Sequence, residues 1–508
     1  MMLRRWRNVA LGMAAAVLLV ACGGGSSGGG PPHGNVLQVA APGDPDSLDP
    51  MAGISGFDVT YLYQIYDTLI HLDPRTDQLE PGLATSWSWS PDKRTLQLKL
   101  RHGVKFQDGT PLDAEAVKES LDHARSFQNW PDLQPVTSVT VVDADTVALH
   151  VDRPYAPLPA LLSWRGGMIV SPTALKRYGK DFGKHPVGAG PFSFQSWAPG
   201  DSIKLTRFAG FWQASQTRLK GIDFHIITSP IAELSALRAG QLDVGGLADL
   251  SNLASVQNAP NLNLSIRNST ALSIVTLNNK GAPFNNPLVR RAANMSIDRH
   301  QLAVVANTKQ LVDKGIGGPA WQYVPPDYWP YSKDLKDYPY DPAQAKRLLA
   351  EAGYPNGVTV QLCNIAGNPD TIPEIEQQEM AKAGFNVVIQ DEPVNSCVSK
   401  MQQGTIPMVQ IGWAGLADPY QTYATMFGPL SNLGPNPQVD ALLDKAAASY
   451  TRAEQKAVYD QLNKVLFDLA PSMPLYYNVV VGITSKRVTG VVATDIVFVT
   501  YFKTAHFV

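Results

Sequence analysis

Charged residues are scarce in this chain, and so are histidine and cysteine. Only 17% of the 508 residues are Asp, Glu, Lys or Arg, and the formal net charge is −2. No basic block stands out, which argues against nucleic acid as a partner. Apolar residues make up 44% of the chain, so it can bury a large core. This composition excludes a coiled coil or a disordered chain and favours a mixed α/β protein of two or three domains.

Long apolar runs are absent after the N-terminus. The run VALGMAAAVLLVA at 9–21 follows Arg4, Arg5 and Arg7, and it is too short for a comfortable membrane span. It has the form of a signal peptide covering residues 1–21. The sequence Leu-Val-Ala-Cys ends at Cys22 and resembles a bacterial lipobox, in which the cysteine is acylated. The alternative is an ordinary signal peptide that happens to carry a cysteine.

The stretch that follows Cys22 is rich in glycine and serine and predicts a flexible tether over 22–36. Acylation of Cys22 would anchor the protein to a bilayer without a transmembrane helix. We therefore expect the mature chain in the periplasm or at the cell surface, attached to a membrane by its N-terminal lipid.

Two further cysteines, Cys363 and Cys397, would lie in an oxidising compartment after export. Cys363 ends the strand-like run VTVQLC, and Cys397 follows a second one, FNVVIQ. A helical segment between them predicts a βαβ unit with neighbouring parallel strands. A disulfide between the two cysteines is the expectation, and two buried free thiols are the alternative.

Signatures of catalysis and of metal binding are missing from the chain. It has no GxSxG, HExxH, Walker loop or GxGxxG after a strand, and its nine histidines are scattered. We therefore expect no enzyme, no cofactor and no metal ligands. Short strands and helices alternate from Val36 onward. A helix is predicted over 58–72, a hairpin over 138–151, and the late β-rich residues are expected to return to an earlier sheet.

Four stretches together resemble the family 5 extracellular solute-binding proteins, which serve peptide, nickel and related ABC importers. They occur in the family's order and are LEPGLATSWSWSPDKRTLQLKLRHGVKFQDGTPLDAEAV (79–117), HPVGAGPFSFQSW (185–197), NNKGAPFNNPLVRRAANMSIDR (278–299) and YDPAQAKRLLAEAGYPNG (340–357). The resemblance runs from about residue 37 to the C-terminus. Most of these residues also have plain scaffold roles in turns and caps, so we do not take them as a site.

The resemblance implies an α/β fold (α+β mixed), periplasmic-binding-protein-like of type II, with two lobes, a hinge and an extra domain in the N-terminal half. Lobe I would comprise 37–55, 176–275 and 481–508, the extra domain 56–175, and lobe II 276–480. The hinge strands would lie near 273–278 and 478–484. The ligand would bind in the cleft between the lobes.

The stretch GWAGLADPY at 412–420 is similar to a cleft-facing segment of the family. Peptide-binding members tend to carry Trp-x-x-Asp there, and the aspartate pairs with the ligand's ammonium. Here the positions are Trp413 and Leu416, so the acid is absent, which puts ordinary free-amino peptides in doubt. Trp413 offers a flat stacking surface or is a core residue. Asp418 is a ligand group or a turn cap, and Tyr420 is a cleft or a packing residue.

Further ligand-binding candidates come from two other stretches. Ile54, Ser55, Gly56 and Phe57 follow the first strand, in a region that contacts ligand in relatives. Trp164 and Arg165 precede MIVSP, where a guanidinium could bind a carboxylate, and a structural ion pair is the alternative for Arg165. With Arg165 in the cleft and leucine at 416, the ligand could be anionic or neutral.

The resemblance implies a monomeric, lipid-anchored receptor that captures a small molecule or peptide and delivers it to an ABC permease. A peptide or modified peptide is the first expectation. An opine, an oligosaccharide or a metal chelate is the alternative ligand, and a surface sensor without a transporter is the alternative role.

Overall fold

The structure is a computed structural model that describes residues 32–53, 56–73, 76–127, 133–246, 250, 253–365, 371–413, 418–428, 431, 434–496 and 499–508. The predicted signal peptide, Cys22 and most of the tether lie outside these residues. So do the site candidates Ile54, Ser55 and Leu416. Within the described part, no helix combines the length and hydrophobicity needed to cross a bilayer.

Helices and strands alternate along the chain, as the composition predicts. The strands are β1 (Val36–Ala41), β2 (Ile70–Asp73), β3 (Gln78–Pro81), β4 (Ala84–Trp89), β5 (Thr95–Leu100), β6 (Val136–Asp143), β7 (Thr146–Val151), β8 (Phe192–Ala198), β9 (Ser202–Arg207), β10 (Gly221–Ile226), β11 (Val244–Gly245), β12 (Leu262–Leu277), β13 (Val358–Ile365), β14 (Phe385–Glu392), β15 (Met408–Trp413), β16 (Ser472–Ser485), β17 (Val488–Thr489), β18 (Val492–Ala493), β19 (Thr500–Tyr501) and β20 (His506–Phe507). The α-helices are α1 (Val59–Ile65), α2 (Ala114–Arg125), α3 (Leu158–Leu161), α4 (Pro172–Tyr178), α5 (Pro230–Arg238), α6 (Leu253–Gln257), α7 (Pro287–Met295), α8 (Arg299–Asn307), α9 (Lys309–Val312), α10 (Pro342–Glu351), α11 (Thr371–Lys382), α12 (Val394–Gln403), α13 (Pro419–Phe427), α14 (Pro437–Ala447) and α15 (Arg452–Leu469).

A mixed ten-stranded sheet organises the molecule, with the strand order β14-β13-β15-β12-β16-β11-β1-β10-β9-β8. One end of it holds β11, β1, β10, β9 and β8, and the other end holds β14, β13 and β15. The long antiparallel strands β12 and β16 form the middle and join the two ends. The predicted α/β class with mixed strand directions is therefore confirmed.

A separate four-stranded antiparallel sheet, in the order β4-β5-β7-β6, lies in the N-terminal half. The hairpin predicted near Asp143 to Asp145 is confirmed, because β6 and β7 pair on either side of that turn. Helix α2 packs its apolar face on this sheet, and its first turn is capped by Asp113, which accepts from the Ala116 amide. The resulting core also contains residues of α13 to α15, such as Tyr423 and Leu462.

The helix predicted over 58–72 is wrong in its second half. Helix α1 ends at Ile65, and Ile70–Asp73 is a strand paired with β3. The backbone of Tyr66 is extended, and its hydroxyl donates to the Leu48 carbonyl at 2.7 Å. The Ile65 carbonyl accepts from the Gly190 amide at 3.0 Å. These contacts with distant residues outweigh the local helical spacing.

The C-terminal residues return to an earlier sheet, as predicted. Strand β16 lies beside β11, and Val499 and Phe502 are buried in the same core as Leu37 and Val59. The last residues form short two-residue strand pairs, and the Gln64 side chain donates to the Thr500 carbonyl at 2.8 Å. This places residues 499–502 against α1.

The predicted βαβ unit is present as β13, α11 and the parallel neighbour β14. Cys363 on β13 and Cys397 on α12 are both fully buried and form a disulfide with Cα atoms 5.9 Å apart. They pack with Ile406 and Val409, so the disulfide joins α12 to the sheet beside β15.

Candidate ligand-binding site

A cavity of about 260 Å³ lies beside the middle of strand β12. Four segments that are distant in sequence meet there, and we call it the acidic cavity. Its lining residues are Asp77, Arg267, Asn268, Ser269, Thr270, Pro325, Asp327, Tyr328 and Asp495. Because these segments come from both halves of the chain, a molecule in the acidic cavity would contact both.

An irregularity in β12 creates the wall of the acidic cavity. The ladder between β12 and β16 shifts register between Asn268 and Leu272. The backbone groups freed there bind the C-terminal segment instead, since the Thr270 amide donates to the Asp495 carbonyl at 3.1 Å. The Ser269 hydroxyl donates to the same carbonyl at 3.0 Å. Asp495 is thereby held at the cavity by its backbone, which leaves its side chain out of these bonds.

Asn268 fixes the opposite wall. Its amide nitrogen donates to the Asp327 carboxylate at 3.1 Å and to the Gly315 carbonyl at 3.2 Å. Its oxygen accepts from the Gly317 amide at 2.8 Å. One side chain of β12 thus positions both the carboxylate of Asp327 and the loop that precedes it.

The acidic cavity carries three carboxylates and one guanidinium. Burial and the charge of Asp77 raise the pKa of Asp495, Arg267 opposes the rise, and the net value is about 6. Burial also raises the pKa of Asp77, against the charge of Arg452. Asp77 and Asp495 are half-buried and Asp327 is exposed. Carboxylates that lie close together repel one another, so a cationic group among them would be stabilised.

Trp413 lies next to this region. It is the last residue of β15, and its backbone is paired with Leu272, directly after the irregularity in β12. The indole is half-buried, and its nitrogen is shielded from solvent with no hydrogen-bond partner among the described residues. A ligand acceptor could satisfy this donor.

Asp418 caps helix α13. Its carboxylate accepts from the Tyr420 amide at 2.7 Å, and burial raises its pKa to about 6. Burial raises the pKa of Tyr328 in the acidic cavity, and the charge of Asp418 adds to that shift. The two residues therefore share one electrostatic environment, although Asp418 does not line the cavity.

Tyr420 has the contacts of the packing alternative. It is buried, and its ring meets the Tyr155 ring edge-on, with centroids 5.6 Å apart. The Ala156 amide donates to the Ala447 carbonyl nearby. Tyr420 thus helps to join the N-terminal half to α13.

The N-terminal candidates lie apart from the acidic cavity. Gly56 is exposed, and the half-buried Phe57 lies against Gly43. Trp164 is buried with its ring 5.9 Å from that of Tyr63. None of these residues lines the acidic cavity.

Arg165 has the geometry of the structural ion pair that the sequence left open. It is 1% exposed, and its guanidinium lies 3.4 Å from the Asp58 carboxylate. It also donates to the Pro50 carbonyl at 3.0 Å. Breaking such a buried pair is costly, so the guanidinium is held in the scaffold. These contacts favour the structural ion pair for Arg165.

Sequence reasoning missed Asp77, Arg267, Asp327 and Asp495. Each is a single charged residue in an irregular stretch or at the end of a hydrophobic pattern, and no spacing connects them. Only the fold brings them together. Among the described residues, no group of three or more His, Cys, Asp or Glu side chains could hold a metal ion.

Comparisons with known proteins agree with this architecture. The glutathione-binding protein GsiB of Shigella dysenteriae is 28% identical over 465 residues, which cover 87% of this chain and 89% of that protein. The DppA periplasmic binding protein of Helicobacter pylori, solved with the peptide STSA, matches with a TM-score of 0.81 and 25% identity, over 93% of this chain and 98% of that one.

A third comparison shows the fold alone. NikA of Brucella suis, solved with Fe(III)-EDTA, matches with a TM-score of 0.80 and 23% identity, over 92% of this chain and 99% of that one. The predicted two-lobed type II binding-protein fold is confirmed. The model of the bacterial extracellular solute-binding proteins, family 5, middle region, matches residues 78–433. The chain therefore belongs to the family 5 bacterial extracellular solute-binding proteins.

Proposed function

We propose that this protein is the receptor of an ABC importer and that it binds a peptide or modified peptide with a free ammonium group in the acidic cavity. The observation that carries the proposal is the meeting of three carboxylates, from segments distant in sequence, at the irregular stretch of β12. An ammonium among Asp77, Asp327 and Asp495 would replace their mutual repulsion with charge-assisted hydrogen bonds. These carboxylates would bind the ligand ammonium, as the aspartate does that relatives carry at the position of Leu416.

Arg267 supplies the complementary charge for a ligand carboxylate. It lies in the same cavity, and its charge opposes the raised pKa of Asp495. A peptide has both an ammonium and a carboxylate, so it fits a cavity lined by both signs of charge. The half-buried Trp413 and Tyr328 would cover the apolar part of such a ligand. GsiB and DppA, whose names or bound ligands are peptidic, support this class.

Lobe closure follows from the way in which the cavity is built. We propose the domain division given above, with lobe I at 37–55, 176–275 and 481–508, the extra domain at 56–175, and lobe II at 276–480. Asp495 would then belong to lobe I, Asp77 to the extra domain and Asp327 to lobe II. A ligand that contacts all three stabilises the closed arrangement over an open one, and a permease would recognise the closed form. Lipid anchoring at Cys22 and a monomeric state complete the proposal.

The substitution Asp495→Asn tests this function. A thermal-shift screen of dipeptides and tripeptides identifies the best ligand, and calorimetry then measures its affinity. We expect Asp495→Asn to weaken binding by about tenfold or more, because a hydrogen bond to a charged group is worth about 1.5–3 kcal/mol. N-acetylation of the peptide should weaken its binding to the wild type by about the same factor as Asp495→Asn does. It should change binding to the variant little.

The matched control is Asp334→Asn, an exposed aspartate seven residues from Asp327; we expect it to leave the affinity unchanged. Protonation also provides a check. In the protein without ligand, the pKa of Asp495 is about 6, so its carboxylate loses its charge as the pH falls through that value. Peptide affinity should fall with it, and this dependence should weaken in Asp495→Asn. Equal affinity of the acetylated and free peptides for the wild type would overturn the proposal.

A further inference from the structure

A second cavity, of about 300 Å³, lies between the β2–β3 hairpin, the end of α1 and the C-terminal segment. We call it the Lys503 cavity. Its lining residues lie within 63–80, 191–211 and 492–504, and it shares none of them with the acidic cavity. Among the described residues, no side chain of 253–480 reaches it. Its occupant would therefore not bridge the two lobes proposed above.

Lys503 is a half-buried cation in this cavity. Its ammonium donates to the Gln213 side-chain oxygen at 2.8 Å. Within the described part of the chain, no carboxylate lies within ion-pair distance of it. Burial lowers the pKa of Lys503, and the more distant charges of Asp67 and Glu80 oppose that change. An ammonium with donors to spare and little water around it is a binding point for a ligand carboxylate.

The acids of this cavity differ in their availability. The Asp67 carboxylate is buried and already accepts from His71 at 2.6 Å and from the Trp212 indole at 2.7 Å. Glu80 lies opposite His71 in the strand pair, is exposed, and has no hydrogen-bond or ion-pair partner among the described residues. Asp73 also lines the cavity and already has a partner, so Glu80 is the carboxylate that can receive a ligand ammonium at the mouth of the cavity.

Aromatic rings supply the remaining surface. Tyr63, Tyr66, Phe211 and Tyr501 line the cavity. The rings of Tyr63 and Tyr501 meet edge-on with centroids 5.1 Å apart, so each supports the position of the other. A flat apolar group is favoured against such rings, both by burial and by ring–ring contact.

We infer that the Lys503 cavity binds a free α-amino acid with an aromatic side chain, separately from the peptide site. Lys503 binds the carboxylate, Glu80 binds the ammonium, and the tyrosine rings enclose the side chain. Lys503 and Glu80 are near enough for the charge of Glu80 to act on the ammonium, which matches the adjacent carboxylate and ammonium of such a ligand.

Calorimetry with L-phenylalanine on the mature protein tests this inference. We expect saturable binding to the wild type, and about tenfold weaker binding or more in Lys503→Met. L-phenylalaninamide, which lacks the carboxylate, should bind the wild type as weakly as L-phenylalanine binds Lys503→Met. Glu80→Gln should weaken L-phenylalanine and leave hydrocinnamate, which lacks the ammonium, unchanged. The control Lys220→Met removes an exposed lysine and should change nothing.

Peptide binding separates this inference from the proposed function. Lys503→Met should retain full peptide affinity, which also shows that the variant is folded, and Asp495→Asn should retain L-phenylalanine binding. Absence of L-phenylalanine binding to the wild type overturns the inference. So does equal affinity of L-phenylalanine and its amide, which needs no variant. Loss of L-phenylalanine binding in Asp495→Asn would place that ligand in the acidic cavity and also overturn it.

Discussion

Replacing Cys363 and Cys397 together by alanine is expected to lower the free energy of unfolding by about 4 kcal/mol. The two cysteines are 34 residues apart, and a disulfide that closes a loop of this length restricts the unfolded chain by about that amount on the chain-entropy account. Both sulfurs are also buried among Ile406 and Val409, so their removal costs packing as well. Equilibrium denaturation in guanidinium, followed by tryptophan fluorescence, measures the change.

Reduction of the wild type provides the matched control for lost packing. Wild-type protein held in excess dithiothreitol keeps the two sulfur atoms but loses the bond between them. It should therefore be less stable than the oxidised wild type, and more stable than the double variant by the packing contribution of the sulfurs. Unfolding midpoints that coincide for the oxidised wild type and the double variant would contradict the stabilising role of this disulfide.

Removing the charge of Glu376 is expected to stabilise the protein at alkaline pH. This residue of α11 is fully buried, and neither carboxyl oxygen has a hydrogen-bond partner among the described residues. Burial raises its pKa from 4.5 to about 8. The folded protein therefore keeps a proton that the unfolded chain releases above pH 4.5, and stability falls as the pH rises from 4.5 to about 8.

The size of this effect follows from the interval between the two pKa values. Each pH unit in this interval lowers the wild-type free energy of unfolding by about 1.4 kcal/mol. The stability of Glu376→Gln relative to wild type should therefore rise by on the order of 4–5 kcal/mol between pH 4.5 and pH 8. Unfolding midpoints measured at both pH values give the difference. The exposed Glu374→Gln on the same helix is the control, and it should shift little. A difference between Glu376→Gln and wild type that does not change with pH would show that Glu376 is already ionised when folded.

Patterns that repeat along the chain predicted much of the fold. The hairpin of β6 and β7 follows from two strand-like runs on either side of a turn, and the unit of β13, α11 and β14 follows from two apolar strands with a helix between them. The error at α1 has a different origin. The helical spacing continues beyond Ile65, but Tyr66 and Gly190 make contacts that no local pattern encodes.

The candidate site was far less predictable. Trp413 was found through resemblance, and the structure puts it beside the irregular stretch of β12. Asp495, Asp77 and Asp327 are brought together by the register of β12 and by the return of the C-terminal segment, which depend on pairings between residues more than two hundred positions apart along the chain. The chemistry of its guanidinium also suggested Arg165, but only the structure shows its buried partner Asp58.

Native mass spectrometry of the mature protein, purified without denaturation from its own host, tests the central claim most directly. The account predicts a discrete added mass, released on unfolding, that tandem fragmentation identifies as a peptide or modified peptide with a free ammonium group. A bound sugar, or a bound anion without a cationic group, would contradict it. So would the absence of any bound mass together with no thermal shift across the peptide panel.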